Sequence, residues 1–272
     1  MKRIIFAVIV TILALGLVAA CSKKSGNTGT VVKVAFGDNL KPHGFREENG
    51  KITGYDVEIF EELDKLWDDV VFEFDMMHQT VGLLGVETGK YQIASNGFFK
   101  NPPREEKFLF PQENMGWSPL NLAVKGDSAI NSLEDMKGKA FVPTVAGGGG
   151  HYILSTYIAA HPEDNYTLNT IDRAERADQL IWVSEGRYDA YFGPGDGVLS
   201  LKEALGLDIK LSDIVHYEPT YPVFNKSSPD LVERYDTGIK TLKENGTLSR
   251  LSVKWFETDV FADQAAFAAR SE

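Results

Sequence analysis

Ala94-Ser95-Asn96-Gly97-Phe98-Phe99-Lys100-Asn101-Pro102-Pro103-Arg104-Glu105-Glu106-Lys107-Phe108-Leu109-Phe110 is the stretch on which the reading of this chain turns. The apolar run Tyr91 to Ala94 predicts a strand. It enters Ser95-Asn96-Gly97 and then Asn101-Pro102-Pro103, two dense sets of turn formers. A residue after Pro103 falls in the first turn of a helix, where proline is tolerated and free N–H groups point outward. Arg104 therefore stands where a guanidinium fork and free amides at a strand end can hold a carboxylate. On this stretch alone, an Arg paired with Glu105 or Glu106 on a solvated turn is the simpler reading. The flanking sequence shifts that balance.

Upstream, Val31 to Phe36 predicts a strand ending at Gly37-Asp38-Asn39, and Glu48 to Lys51 a tight turn. Val57, Phe60, Leu63 and Trp67 recur at helical spacing, so Tyr55 to Trp67 is an amphipathic helix. Val70 to Phe74 is a second strand and Val81 to Val86 a second helix. Downstream, Leu120 to Val124 is a strand and Ile130 to Met136 a short helix capped by Asn131 or Ser132. Ala140 to Pro143 is a strand that runs into Thr144-Val145-Ala146-Gly147-Gly148-Gly149-Gly150, and His151 to Ala160 is helical. Strand 169–171, helix 172–184 and strand 188–192 repeat the pattern. Tyr221 to Phe224 is a strand, and helices cover 229–243 and 247–256, broken at Asn245-Gly246. The alternation predicts an α/β fold with a mostly parallel sheet and helices on both faces. Ligands of such sheets bind beyond the carboxyl ends of the strands, where Asp38 and Gly97 lie. The glycine loop between a strand and a helix is a second place for an anion, because backbone can approach closely there and amides are free. No Gly-Lys-Ser/Thr follows it, so it is no phosphate loop. A floppy connector is the competing reading.

The ends and the composition bound the function. Lys2 and Arg3 precede an uncharged apolar run from Ile4 to Ala20, the pattern of a secretory signal rather than a membrane-spanning helix. Leu17-Val18-Ala19-Ala20-Cys21 resembles a bacterial lipobox, which makes Cys21 the lipidated mature N-terminus. Residues 21–30 are a polar tether. Cys21 is the only cysteine, which excludes a disulfide framework and a thiol-based metal site. The net charge is −11, and loss of the leader makes it more negative still. Such a surface, without a basic run, argues against nucleic acid. The histidines at 43, 78, 151, 161 and 216 show no ligand spacing, so no metal is predicted and no cofactor is implied. No Gly-x-Ser-x-Gly and no cysteine nucleophile occur in the mature body. Glu61-Glu62 and Glu105-Glu106 read as solvated helix charges.

Several segments, in collinear order over about residues 31 to 257, resemble the solute-binding proteins of polar amino-acid ABC importers. Asn49-Gly50-Lys51-Ile52-Thr53-Gly54-Tyr55-Asp56-Val57 is similar to that family's Asn-Gly-Lys-x-x-Gly-Phe-Asp-Val. Pro103-Arg104 with Phe110, Ser132 to Lys139, Glu185 to Ala190, Leu242 to Thr247 and Lys254-Trp255-Phe256 match further family segments. Lys100 to Phe110 looks most like the cystine and sulfur-amino-acid branch. The resemblance implies a two-lobed periplasmic-binding-protein fold of type II, with two strand crossovers at the hinge. Lobe 1 would be 31–113 and 219–257, lobe 2 would be 119–217, and 258–272 would be a C-terminal tail. The hinge would lie at 114–118 and 218–221.

The same resemblance implies a small zwitterionic ligand, an ABC permease as partner, and attachment to the membrane through lipidated Cys21. Arg104 would take the ligand α-carboxylate and Gly97 would offer its carbonyl to the α-ammonium. Gly147 and Gly148 would donate amides from lobe 2, and Asp38 would meet the side chain. The chain departs from the family at four places. Phe99 stands where a carboxylate-binding Thr or Ser is usual, and Pro194 where an ammonium-binding acid is usual, with Asp196 the nearest replacement. Gln79 replaces a stacking aromatic, and the loop after Asp38 is one residue shorter. Phe98, Phe99 or Trp117 would then supply an apolar wall. Two other classes stay open on sequence. One is a dehydratase-like enzyme on the same scaffold, with Asp196, Asp38 or His151 as general acid. The other is a ligand sensor.

Overall fold

The computed structural model describes residues 29–38 and 41–271. The leader 1–20, Cys21 and the tether to residue 28 lie outside the described residues, as do Asn39 and Leu40. In chain order the strands are β1 (Thr30–Gly37), β2 (Phe45–Arg46), β3 (Ile52–Thr53), β4 (Val70–Met77), β5 (Ile93–Phe98), β6 (Gly116–Lys125), β7 (Thr144–Val145), β8 (Thr170–Ile171), β9 (Ala190–Pro194) and β10 (Ile209–Phe224). The helices are α1 (Tyr55–Asp64), α2 (Gln79–Glu87), α3 (Pro102–Lys107), α4 (Gly149–Ala160), α5 (Arg176–Ser184), α6 (Asp196–Leu205), α7 (Pro229–Glu244), α8 (Thr247–Phe256) and α9 (Val260–Ser271).

The main sheet runs β4-β1-β5-β10-β6-β9. β1 pairs in parallel with β4 and β5, whereas β10 is antiparallel to both β5 and β6, and β6 is antiparallel to β9. The fold is α/β, but the sheet is mixed rather than mostly parallel as predicted: parallel in one half and antiparallel in the other, because β10 runs back between the halves. β10 joins the halves: Ile209 to Thr220 pair with β6, while Tyr221 to Phe224 pair with β5. Register shifts around Ile214 and between Tyr221 and Val223 let one long strand serve two differently twisted partners.

Each half has its own core. Val34, Phe36, Val57, Phe60, Leu63, Ile93, Phe224, Tyr235 and Leu251 are among the residues of the first. Leu120, Leu122, Val124, Phe141, Leu154 and Phe192 are among those of the second. Burying one such side chain contributes about 1.5–3 kcal/mol, so two separate clusters suffice to hold two lobes. The segment leading into β6 is clamped to the first half. Asp236 on α7 accepts from the Gln112 and Glu113 amides, and Lys243 reaches Glu113 and Asn114, each at 2.7 Å. The Tyr55 hydroxyl donates to the Met115 carbonyl at 2.5 Å.

Several elements differ from the sequence reading. The helix predicted for 130–136 shrinks to a 3₁₀ turn, Glu134–Met136. The Asp135 carboxylate accepts from the Asn131 and Ser132 amides at 2.9 Å each, offering those amides an alternative to a helix. The segment predicted as strand 140–143 is extended but forms only isolated bridges, because it bonds alternately to Thr167 on one side and Ala190 on the other. The tail is an ordered helix, α9. The Ser252 hydroxyl holds its start by accepting from the Val260 amide at 3.0 Å, and Phe267 meets Tyr217 with ring centroids 5.2 Å apart.

Candidate functional site

Arg104 owes its position to α3, a short helix that proline starts and Asn101 caps. The Asn101 side chain accepts from the Arg104 amide at 3.0 Å. The guanidinium turns back over the end of β5. Its Nη1 donates to the Phe99 carbonyl at 2.7 Å, and its carbon lies 5.3 Å from the centroid of the Phe98 ring. Neither flanking glutamate forms an ion pair with it among the described residues; Glu105 pairs with Lys100 at 3.1 Å instead. Burial without a carboxylate lowers the guanidinium pKa to about 10. The charge is thus partly desolvated and its fork is largely unused, which is the state in which an incoming carboxylate gains most.

Gly97 closes the same strand end. Its φ of 57° lies in the left-handed region, and a Cβ there would fall 3.0 Å from the His43 ring. Beneath it lies a polar cluster centred on Asp56, which is fully buried. Asp56 accepts from the Ser95 hydroxyl at 2.6 Å and the Gly97 amide at 3.1 Å, and it bonds His43 Nδ1 at 2.9 Å. Three elements are therefore fixed to one carboxylate: α1, the β5 end and the loop carrying His43. On the opposite face of β5, Asn96 Nδ2 donates to Gln79 at 2.8 Å, while Asn96 Oδ1 is buried with no partner among the described residues.

The glycine loop of the other half meets this strand end directly. Phe99 packs on Gly149, where a Cβ would come within 2.7 Å of the Phe99 side chain. Asn101 Nδ2 donates to the Gly147 carbonyl at 3.3 Å. Phe99 also joins the margin of the second core. The sequence predicts amides from both Gly147 and Gly148, and the two differ. The Gly148 amide bonds the Val145 carbonyl at 3.0 Å and closes a turn, so it is not available to a ligand. No bond from the Gly147 amide is found among the described residues.

The remaining predicted residues are placed less centrally. Asp38 is exposed, and its amide extends the β1–β4 ladder to Met77 at 3.1 Å. Asp196 opens α6 and is exposed, its carboxylate accepting from the Gly197 amide at 2.9 Å. It lines a crevice of about 770 Å³ between the halves, together with His43, Trp117 and Trp255. A second cavity, about 320 Å³, lies under α4 beside His216 and Phe192 and contains none of the predicted site residues. His151 Nδ1 is held by the Thr144 hydroxyl at 2.8 Å. Among the described residues no cluster of His, Cys, Asp or Glu could hold a metal ion, and no helix is long and apolar enough to cross a membrane.

The sequence reading brought out Arg104, Gly97, Phe99 and the glycine loop, which the fold brings to one interface. It missed the His43–Asp56–Ser95 cluster, Asn101 and Asn96. An Asp in a first helical turn reads as an ordinary dipole-complementing charge, and only tertiary packing reveals that it is buried.

Comparison with known proteins adds lineage to geometry. The sequence profile of the bacterial extracellular solute-binding proteins, family 3, matches residues 32–258. The L-cystine-binding protein TcyJ of Bacillus subtilis is 28% identical over 263 residues, covering 95% of this chain and 96% of that protein. A solved structure of the probable amino-acid ABC transporter extracellular-binding protein ytmK from Bacillus subtilis superposes with a TM-score of 0.70 at 27% identity, covering 84% of this chain and 97% of that one. A structure from work on glutathione import via GshT and the cystine ABC importer TcyBC of Streptococcus mutans gives 0.69 at 28% identity, covering 85% and 97%.

Proposed function

The chain belongs to the bacterial extracellular solute-binding proteins, family 3, and from that premise we propose that it captures a small amino acid, cystine or a close relative, between its lobes and delivers it to an ABC permease. The observation that carries this reading is the half-buried Arg104 guanidinium, which has no carboxylate partner among the described residues and stands where the two halves touch. In this reading the ligand α-carboxylate binds Arg104 and the Gly147 amide. The Gly97 carbonyl and Asp196 receive the α-ammonium, Phe98 and Phe99 form the apolar wall, and Asp38 stands at the rim. The lobes divide at 114–118 and 218–221, and a ligand touching both favours the closed arrangement. Cys21, in its lipobox-like setting, carries the acyl anchor on the outer side of the cell membrane. Membrane fractionation of wild type against Cys21→Ser tests the anchor: equal release of both into the soluble fraction would dismiss it.

A thermal-shift panel of amino acids and their disulfide-linked forms tests the function. A ligand at ~100 times its Kd adds about 2.7 kcal/mol of stability, so cystine or a near relative should raise Tm clearly. No shift with any zwitterion would refute the reading.

Closure gives a second expectation. Gly149→Ala places a methyl into Phe99, so the halves cannot meet as closely. Ligand affinity should fall by about tenfold, as expected if ~1–3 kcal/mol of overpacking strain is borne by the closed form alone. Calorimetry on this variant checks it; unaltered affinity would mean that the Phe99–Gly149 contact is not part of the bound state.

A further inference from the structure

We propose that Arg176 anchors a second anionic group of the ligand, so that the preferred ligand carries a carboxylate at each of two ends. The proposal rests on the cleft being an amino-acid site and adds to it the class of amino acid bound. Arg176 is the first residue of α5 and is half-buried. Among the described residues its side chain forms no ion pair and no hydrogen bond. Its neighbours are engaged: Arg173 with Glu175 at 2.8 Å, and Arg187 with Glu185 at 3.8 Å. A chain with 39 acidic and 28 basic residues has carboxylates to spare, so a partly buried guanidinium left without one stands out.

Its location follows from one contact, supported by a longer-range electrostatic effect. The guanidinium lies on the Gly197 backbone, where a Cβ would fall 2.1 Å from Nη1. Its charge also acts on the buried His43 ring of the other half, opposing protonation there, and His43 packs against Gly97. Arg176 thus belongs to the gap between Gly97 and Asp196–Gly197. Arg104 stands at the Gly97 end of β5, against Phe98 and Phe99, and Arg176 stands beside Asp196–Gly197. A single α-carboxylate at Arg104 leaves Arg176 without a counter-charge. A ligand with two carboxylates several bonds apart neutralises both. Disulfide-linked amino-acid pairs and γ-linked peptides have this pattern.

The test is calorimetric titration of wild type, Arg176→Gln, Arg176→Lys and Arg104→Ala with two probes. L-Cystine has two carboxylates, and S-methyl-L-cysteine keeps one end of it. Arg176→Gln should lose about tenfold or more in affinity for cystine and little for S-methyl-L-cysteine. Arg176→Lys should fall between, because a point charge replaces the fork. Arg104→Ala should weaken both probes. Unchanged cystine affinity in Arg176→Gln, or equal losses on both probes, would overturn the proposal. Wild type that binds neither probe would instead defeat the amino-acid reading on which it rests. An unaltered ligand-free Tm in Arg176→Gln excludes misfolding as the cause of any loss.

Discussion

Arg104→Ala is expected to weaken ligand binding by roughly 30-fold to several thousand-fold, equivalent to 2–5 kcal/mol, measured by calorimetry. The range reflects what is removed. In the free protein the guanidinium makes one hydrogen bond, to the Phe99 carbonyl, and lies against Phe98. Burial has already stripped part of its water and lowers its pKa to about 10. A ligand carboxylate therefore meets a positive charge that has little hydration left to lose, and the pair forms in a poorly screened setting. Truncation leaves that carboxylate desolvated without a partner, which accounts for the upper part of the range. Arg104→Lys should recover only part of the loss, because an ammonium cannot match two carboxylate oxygens in one plane. Full affinity in Arg104→Ala would remove this residue from the site.

Asp56→Ala is expected to destabilise the fold by about 3–5 kcal/mol, measured by urea unfolding, because it leaves buried polar partners unmatched. The Ser95 hydroxyl, the Gly97 amide and the His43 ring would all lose their acceptor at once. The same change frees the backbone at Gly97, so binding should weaken even where the variant remains folded. Asp56→Asn keeps one acceptor oxygen and should cost less. The cluster also makes stability depend on pH. Burial by itself lowers the basicity of His43, but the charge and hydrogen bond of Asp56, helped by Asp196 and opposed by Arg176, outweigh it and raise its pKa above 6.5. A raised native pKa means that the folded state holds the proton more tightly than the unfolded chain does. Its contribution to stability is complete below pH 6.5 and is lost as pH rises through the higher native value. Urea midpoints of wild type should decline over that interval, and His43→Gln should flatten the decline. An equally steep decline in His43→Gln would assign it to another group.

Much of the architecture was legible because periodicity is a local signal. Val57, Phe60 and Leu63 at helical spacing gave α1, and the alternation of strands with helices gave the α/β class. The crossing strand was harder. Only Tyr221 to Phe224 read as strand, yet β10 begins at Ile209. Its first part contains Asp213, His216, Glu218 and Pro219 and has no clean alternation, because it crosses between two halves and changes partner rather than lining one face. Three candidate site residues were legible for a different reason. Arg104, Gly97 and Gly147 lie at strand-to-helix turns, where glycine and proline mark the chain. Asp56, His43 and Arg176 were not, since one buried or unpaired charge looks on the page like any solvated one. Their roles depend on contacts between residues 13 to 41 positions apart in the Asp56 cluster, and on the meeting of two halves for Arg176.

The most direct test is a crystal structure of the mature chain grown with the amino acid that the thermal-shift panel selects. The account predicts ligand density between the halves, its α-carboxylate within hydrogen-bond distance of both the Arg104 guanidinium and the Gly147 amide, with Phe99 against Gly149. Ligand density with Arg104 left unpaired and the ligand carboxylate held elsewhere would contradict it.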